Sequence, residues 1–131
     1  HEMIDLATLT GACVVALGSL CAGLLTTSQP LADRVKAAAD LVGERLWQLP
    51  MIEEYIEGMK SDVADINNVG PRGGGAINAG IFMKEFVADV PWVHLDIAGP
   101  AFSDKEYSYM KKGGSGAGVR TLIRYLMDLA A

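Results

Sequence analysis

Four residues of the types that bind divalent metals are the first candidates for chemistry in this sequence: Asp62, Asp65, His94 and Asp96. Carboxylate oxygens and imidazole nitrogens are common ligands of such ions. His94 and Asp96 are two apart in a run typical of a strand, so we expect their side chains to share one face of a sheet. Asp62 and Asp65 lie in a stretch where aspartates commonly form turns. We therefore interpret all four as structural residues rather than as a metal site.

Nucleophilic hydrolysis needs a serine or cysteine beside a histidine base. The chain has two histidines, one of which is His1, and no G-x-S-x-G segment. Its two cysteines, Cys13 and Cys21, are too few for a typical zinc site, and we expect both to be reduced and buried. The residues alone therefore predict no complete catalytic set.

A glycine-rich segment, 70–76, precedes a predicted helix and reads GPRGGGA. Backbone N–H groups at the start of a helix can bind an anion, and Arg72 would add a positive charge. The spacing matches neither the P-loop nor the dinucleotide-binding motif. We favour a flexible loop that lets the helix start against a crowded neighbour, with anion binding as the weaker alternative.

Composition and charge narrow the classes of partner. The formal net charge is −5 and the 11 basic residues form no run, whereas binding to phosphates requires clustered Lys and Arg. The apolar run 12–25 is shorter than the roughly 20 residues of a membrane-spanning helix, so we interpret it as a core segment. We expect no nucleic-acid or membrane partner.

The first residue is not Met, and a strand begins almost at once, so we expect a trimmed chain or part of a larger protein.

These residues must be positioned by alternating strands and helices. The segments 4–9 and 92–99 predict strands that lead into small residues, and in α/β sheets such carboxyl edges are where ligands bind. We further predict short strands at 14–17 and 22–27, helices at 28–43, 52–59, 76–87 and 119–129, a connector at 45–50, and loops at 61–75 and 100–118. This order predicts an α/β fold, a three-layer α/β/α sandwich with a mixed sheet.

Five segments, in order along the chain, resemble the leucyl aminopeptidase family. They are DLATLTGA at 5–12, SDVADINNVG at 61–70, FMKEF at 82–86, WVHLDIAG at 92–99 and RTLI at 120–123. The resemblance implies a cytoplasmic two-metal enzyme that removes N-terminal residues, often leucine, from peptide substrates and assembles as a homo-hexamer. It identifies 1–131 as the C-terminal portion of the catalytic domain, so the sandwich is expected to be incomplete relative to that domain.

The family's metal ligands are a lysine, aspartates and a glutamate, several of them in an NTDAEGR motif that precedes the ATLTG strand. That motif does not occur in this sequence. The resemblance therefore implies that two divalent metals, Zn or Mn, bind in the intact enzyme and none in this chain. It also implies that no catalytic residue can be assigned here and that the chain alone is inactive.

The resemblance also assigns a pocket for the substrate's first side chain. Thr8 and Gly11 would line it from the first strand end, and Ala98 and Ala101 from the second. Small residues at these positions would leave room for a leucine-sized group. The Leu9 backbone would hydrogen-bond the peptide.

Val69 would lie near the subsite of the next substrate residue, and the loop 70–75 varies in length and sequence within the family. The alternative to an enzyme fragment is a non-enzymatic structural or assembly module. An open sheet edge in such a module would invite pairing with another chain.

Overall fold

A computed structural model describes residues 1–106 and 109–131. The elements, in chain order, are β1 (Met3–Ala7), α1 (Gly11–Leu17), β2 (Ala22–Thr26), α2 (Gln29–Val42), β3 (Leu46–Gln48), a 3₁₀ helix (Glu53–Met59), α3 (Gly75–Lys84), β4 (Trp92–Asp96), β5 (Phe102–Ser103), β6 (Gly113–Gly114) and α4 (Val119–Leu129). Among these described residues, no helix combines the length and the apolar character needed to cross a membrane.

Four strands form one mixed sheet in the order β1-β4-β2-β3. β1 and β4 are parallel, in register from Met3 beside Trp92 to Ala7 beside Asp96. β4 is antiparallel to β2, which is parallel to β3. Because β1 and β4 are parallel neighbours, their carboxyl ends lie side by side at one edge of the sheet. The predicted mixed sheet is confirmed.

Helices cover both faces of this sheet, which gives the predicted three layers. Leu24 and Leu95 lie on one face, where they pack into a hydrophobic core with buried side chains of α2 and α4. Leu25 lies on the opposite face, against α3. A Cβ added at Gly80 of α3 would lie 2.5 Å from Leu25 Cδ2, so the small-residue face predicted for this helix does allow close packing. α1 packs beside α3 on the same side.

The segment 14–17, predicted as a strand, is instead part of helix α1. Thr10 caps the helix, because its hydroxyl accepts a hydrogen bond from the Cys13 N–H at 3.0 Å. Gly18 ends the helix at a φ of 72°, a conformation that glycine adopts most readily. The apolar run suggested burial, but Val15 is 90% exposed. The sequence reasoning was therefore wrong about both the element and its burial.

Other segments differ from the prediction in detail. The connector 45–50 contains strand β3, which pairs with β2 over three residues and is too short to show a periodic pattern. The helix predicted at 52–59 is a 3₁₀ helix, and the one predicted at 76–87 ends at Lys84. The loop 100–118 contains the short strands β5 and β6. The helix predicted from start and stop signals, α2, and the one predicted from its apolar residues, α4, are confirmed.

The start of α4 is held by a side chain that is distant in sequence. Glu44 accepts hydrogen bonds from the N–H of Gly118 at 3.1 Å, the N–H of Thr121 at 3.0 Å and the Thr121 hydroxyl at 2.6 Å. The first N–H groups of a helix have no partner within the helix and favour a negative charge nearby. Since only Gly43 separates Glu44 from the end of α2, this carboxylate joins α2 to α4.

Gly99, just after β4, packs against the turn that follows α1. A Cβ at this position would lie 2.1 Å from the Gly18 carbonyl oxygen, which is backbone and cannot rotate away. We expect Gly99→Ala to lower the free energy of unfolding by about 2 kcal/mol or more, measured by urea denaturation. Gly114→Ala is the matched control, because a Cβ there meets nothing within 4 Å. Equal stability of the two variants would contradict this packing.

Candidate functional site

The carboxyl ends of β1 and β4 meet at one buried carboxylate, that of Asp96, which is 1% exposed. Its Oδ1 accepts hydrogen bonds from the N–H groups of Leu9 at 3.1 Å, Thr10 at 3.4 Å and Ala98 at 3.2 Å. Its Oδ2 accepts a hydrogen bond from the Thr10 hydroxyl at 2.6 Å. This single side chain therefore ties the segment after β1 to the segment after β4.

Within residues 1–106 and 109–131, the ion pairs do not include Asp96. Neutral N–H and O–H donors surround its charge instead. Hydrogen bonds to an ionised carboxylate are roughly twice as strong as those between neutral groups. The buried site makes them stronger still, because the local dielectric constant is low.

The Thr10 hydroxyl links this carboxylate to helix α1. It donates to Asp96 and at the same time accepts from the Cys13 N–H, which one hydroxyl can do because it has one hydrogen and two lone pairs. Asp96 therefore orients the N-cap of α1 and, with it, Gly11 in the first turn. The sequence analysis predicted that this strand leads into small residues at a ligand-binding edge, but it did not identify Thr10 as a link.

The substrate-binding residues predicted by resemblance lie around this junction. Thr8 and Gly11 are exposed, Leu9 is 39% exposed, and Ala98 and Ala101 are half-buried. A Cβ added at Gly11 would meet no heavy atom within 4 Å, so the space in front of it is open. The structure thus brings the two strand ends to a shared, accessible edge.

Val69 is connected to this edge less directly. It is 75% exposed and lies in the loop before α3. Asn78 holds that loop by donating to two of its backbone carbonyls at 2.9 and 3.0 Å. The start of α3 packs on α1, where a Cβ at Gly75 would lie 2.9 Å from Ala12 Cβ. The loop is therefore connected to the strand ends indirectly: it is held by α3, and α3 packs on α1, which follows β1.

A second polar cluster joins β1 to β4 further from their ends. Asp5 accepts a hydrogen bond from Trp92 Nε1 at 2.6 Å and pairs with His94 Nδ1 at 2.7 Å. His94 is fully buried, and its Nε2 has no hydrogen-bond partner among the described residues. The prediction that His94 and Asp96 share a face is confirmed by their positions in the register.

The four candidate metal ligands do not come together. Asp62 and Asp65 are exposed in the loop before α3, whereas His94 and Asp96 are buried and bonded to other protein groups. In the part of the chain that the structure describes, no group of three or more His, Cys, Asp or Glu could hold a metal ion. The donor set present in this chain therefore does not fit a metal centre.

Both cysteines are free thiols, with Cys13 buried and Cys21 half-buried. Burial raises the pKa of the Cys13 thiol, and the nearby negative charge of Asp96 raises it further. Burial also raises the pKa of the Cys21 thiol. Since the thiolate is the reactive form, both side chains are poor nucleophiles near neutral pH.

A separate cavity of about 280 Å³ opens on the other face of the sheet. Its lining residues include Leu95 and Ile97 from the sheet, together with Glu44 and Arg120. The predicted substrate-binding residues are not among those that line it. Because Leu95 points to the face covered by α2 and α4, this cavity is distinct from the junction at Asp96.

Comparison with known proteins points to one family. The sequence pattern of the cytosol aminopeptidase family, catalytic domain, matches residues 1–123. A probable cytosol aminopeptidase of Gloeobacter violaceus is 58% identical over 125 residues, and one of a Geobacter species is 59% identical over 124 residues. Each match covers 95% of this chain and 25% of the relative. The chain thus spans about a quarter of the length of the relatives it matches.

Solved structures agree with this result. A mutant of tomato leucine aminopeptidase has a TM-score of 0.89 and 50% identity, covering 97% of this chain and 25% of that chain. The bottromycin maturation enzyme BotP in complex with Mn has a TM-score of 0.94 and 42% identity, covering 99% of this chain and 29% of that chain. The predicted α/β fold and the resemblance read from the sequence are both confirmed.

The Thr10 hydroxyl offers a direct test of the junction. We expect Thr10→Val to lower the free energy of unfolding by about 2 kcal/mol, because it removes a helix cap and a donor to a buried carboxylate. Thr10→Ser keeps the hydroxyl and should remain within about 1 kcal/mol of the parent in urea denaturation. Similar stability of the Val and Ser variants would show that the hydroxyl does not link Asp96 to α1.

Proposed function

The chain belongs to the cytosol aminopeptidase family, and from this we propose that it is the C-terminal portion of the catalytic domain of a leucyl aminopeptidase. The aminopeptidase relatives and the family match over nearly the whole chain support this proposal. The observation that carries it is the accessible junction of β1 and β4. Its small residues, of which Thr8 and Gly11 are exposed and Ala98 and Ala101 half-buried, suit a pocket that receives the N-terminal side chain of a peptide.

In this proposal, Thr8 and Gly11 form one wall of the pocket, and Ala98 and Ala101 form the other. The open space in front of Gly11 supports this assignment, because a leucine side chain needs an unfilled volume. Apolar contacts of this kind discriminate modestly, by about 1–3 kcal/mol for one methylene group. We therefore propose a preference for leucine-like residues rather than strict specificity.

The Leu9 backbone can contact the peptide in one way only. Its N–H is already bonded to Asp96 at 3.1 Å. Its carbonyl accepts no backbone hydrogen bond from the described residues, so we propose that it accepts one from a substrate N–H. Val69, exposed in the neighbouring loop, is proposed to border the subsite of the next residue.

The described residues do not fit a metal centre, because the half-buried Asp5 and the buried Asp96 are both directed at protein donors. The two divalent ions implied by the resemblance, Zn or Mn, are therefore proposed to bind to parts of the intact enzyme outside this chain. The chain alone would be inactive and would supply pocket walls and scaffold. The intact enzyme is proposed to be a cytoplasmic homo-hexamer that acts on peptides.

A chimera tests this proposal. The chain would replace the matching 125-residue segment of the Gloeobacter violaceus relative, which is 58% identical to it. We expect the chimera to hydrolyse leucine-initiated dipeptides and the 131-residue chain alone to show no such activity. A folded but inactive chimera would contradict the proposal and favour a structural module.

Gly11→Leu in the chimera tests the pocket assignment. We expect kcat/KM for a leucine-initiated dipeptide to fall by about tenfold or more, because the new side chain would occupy space meant for the substrate. The fold should tolerate it, since a Cβ at Gly11 meets nothing within 4 Å. Gly114→Leu, equally open but in β6, should leave kcat/KM unchanged. Unchanged kinetics for Gly11→Leu would remove Gly11 from the pocket.

A further inference from the structure

Resting on the proposed function, we infer that Asp96 is a positioning residue for substrate selectivity. Its carboxylate fixes the distance between the two pocket walls, although its side chain lies beneath the pocket and is 1% exposed. Asp96 would therefore determine which side chains the pocket accepts without touching the substrate.

The geometry imposes this distance directly. The N–H of Leu9 on one wall and the N–H of Ala98 on the other both bond to the same oxygen, at 3.1 and 3.2 Å. The two nitrogens can therefore lie no farther apart than those two distances together. The second oxygen, bonded to the Thr10 hydroxyl at 2.6 Å, fixes the rotation of the carboxylate.

Side-chain packing across the pocket contributes little to this spacing. Gly11 has no side chain, and those of Ala98 and Ala101 are single methyl groups. A Cβ at Gly11 would reach no neighbour, so packing of side chains across the pocket does not set its width. Two backbone contacts also tie these segments together: the Ile97 N–H bonds to the Ala7 carbonyl at 2.9 Å, and Gly99 packs against Gly18. Between these contacts, the positions of Leu9 and Ala98 depend on their bonds to Asp96.

The site requires a carboxylate of this length. Three N–H groups share one oxygen, which has two lone pairs, so each bond relies on the negative charge. An amide oxygen in the same place would hold the three groups more weakly and let the walls move. A glutamate would keep the charge but displace it by one methylene group.

Glu44 provides a matched control for this inference. Its side chain is 12% exposed and accepts two N–H bonds and one hydroxyl bond, from Gly118 and Thr121; unlike Asp96, it also pairs with Arg120 at 3.6 Å. It joins α2 to α4, on the face of the sheet opposite Asp96. Loss of its charge should weaken the fold without changing the distance between the pocket walls.

The experiment compares Asp96→Asn with Glu44→Gln in the active chimera. The measured quantity is the ratio of kcat/KM for leucine-initiated over alanine-initiated dipeptides. We expect Asp96→Asn to lower this ratio by about fivefold or more, because a looser pocket discriminates less, and Glu44→Gln to leave it unchanged. Equal ratios in both variants and the parent, with similar losses of thermal stability, would show that Asp96 has only a structural role.

A second pair of variants tests the inference if Asp96→Asn does not fold. Asp96→Glu keeps the charge and should change the leucine-to-alanine ratio by moving the walls, whereas Glu44→Asp should not. An unchanged ratio in folded Asp96→Glu would overturn the inference. If the parent chimera hydrolyses neither dipeptide, the proposed function fails, and this inference fails with it. A loss of selectivity that occurs only in the Asp96 variants supports both the proposed function and this inference.

Discussion

The structure depends on one buried carboxylate that accepts hydrogen bonds from the segments that follow two neighbouring strands. Asp96 ends β4, yet its partners include Leu9 and Thr10, more than 80 positions earlier in sequence. Such a group is stable in the interior only when its hydrogen-bonding capacity is met, because an unpaired buried charge is strongly unfavourable. The dependence is therefore mutual. The N–H and O–H groups of the strand ends stabilise the buried carboxylate, and the carboxylate holds those strand ends in place.

Patterns within a few consecutive residues predicted the helices whose start, end and buried face depend on neighbouring residues in sequence. Pro30 and Gly43 bracket α2, and the periodic apolar residues of α4 predicted its bounds. The failures share a different cause. Helix α1 depends on a cap that Asp96 orients from another strand, and β3 exists because β2 offers it a partner. No pattern within a few residues could have revealed either, since both need the assembled sheet.

The candidate site was predicted in part, and by resemblance rather than by chemistry. The residues alone suggested a ligand edge at two strand ends, and parallel pairing of β1 with β4 does bring those ends together. The sequence offered Asp96 as a possible metal ligand and favoured a structural role, without identifying its partners. Its position at the end of an apolar strand, beside a strand that ends in Thr-Gly, is the signal that it bonds the backbone of both strand ends.

Native-state hydrogen exchange of the 131-residue chain tests this account most directly. Leu9 and Ala98 belong to irregular segments, so without Asp96 their amides should exchange as fast as those of the loop before α3. The account predicts that both are protected, and that Asp96→Asn accelerates both together while protection in α2 is retained. Fast exchange of Leu9 and Ala98 in the parent chain would contradict the claim that this carboxylate holds the two strand ends.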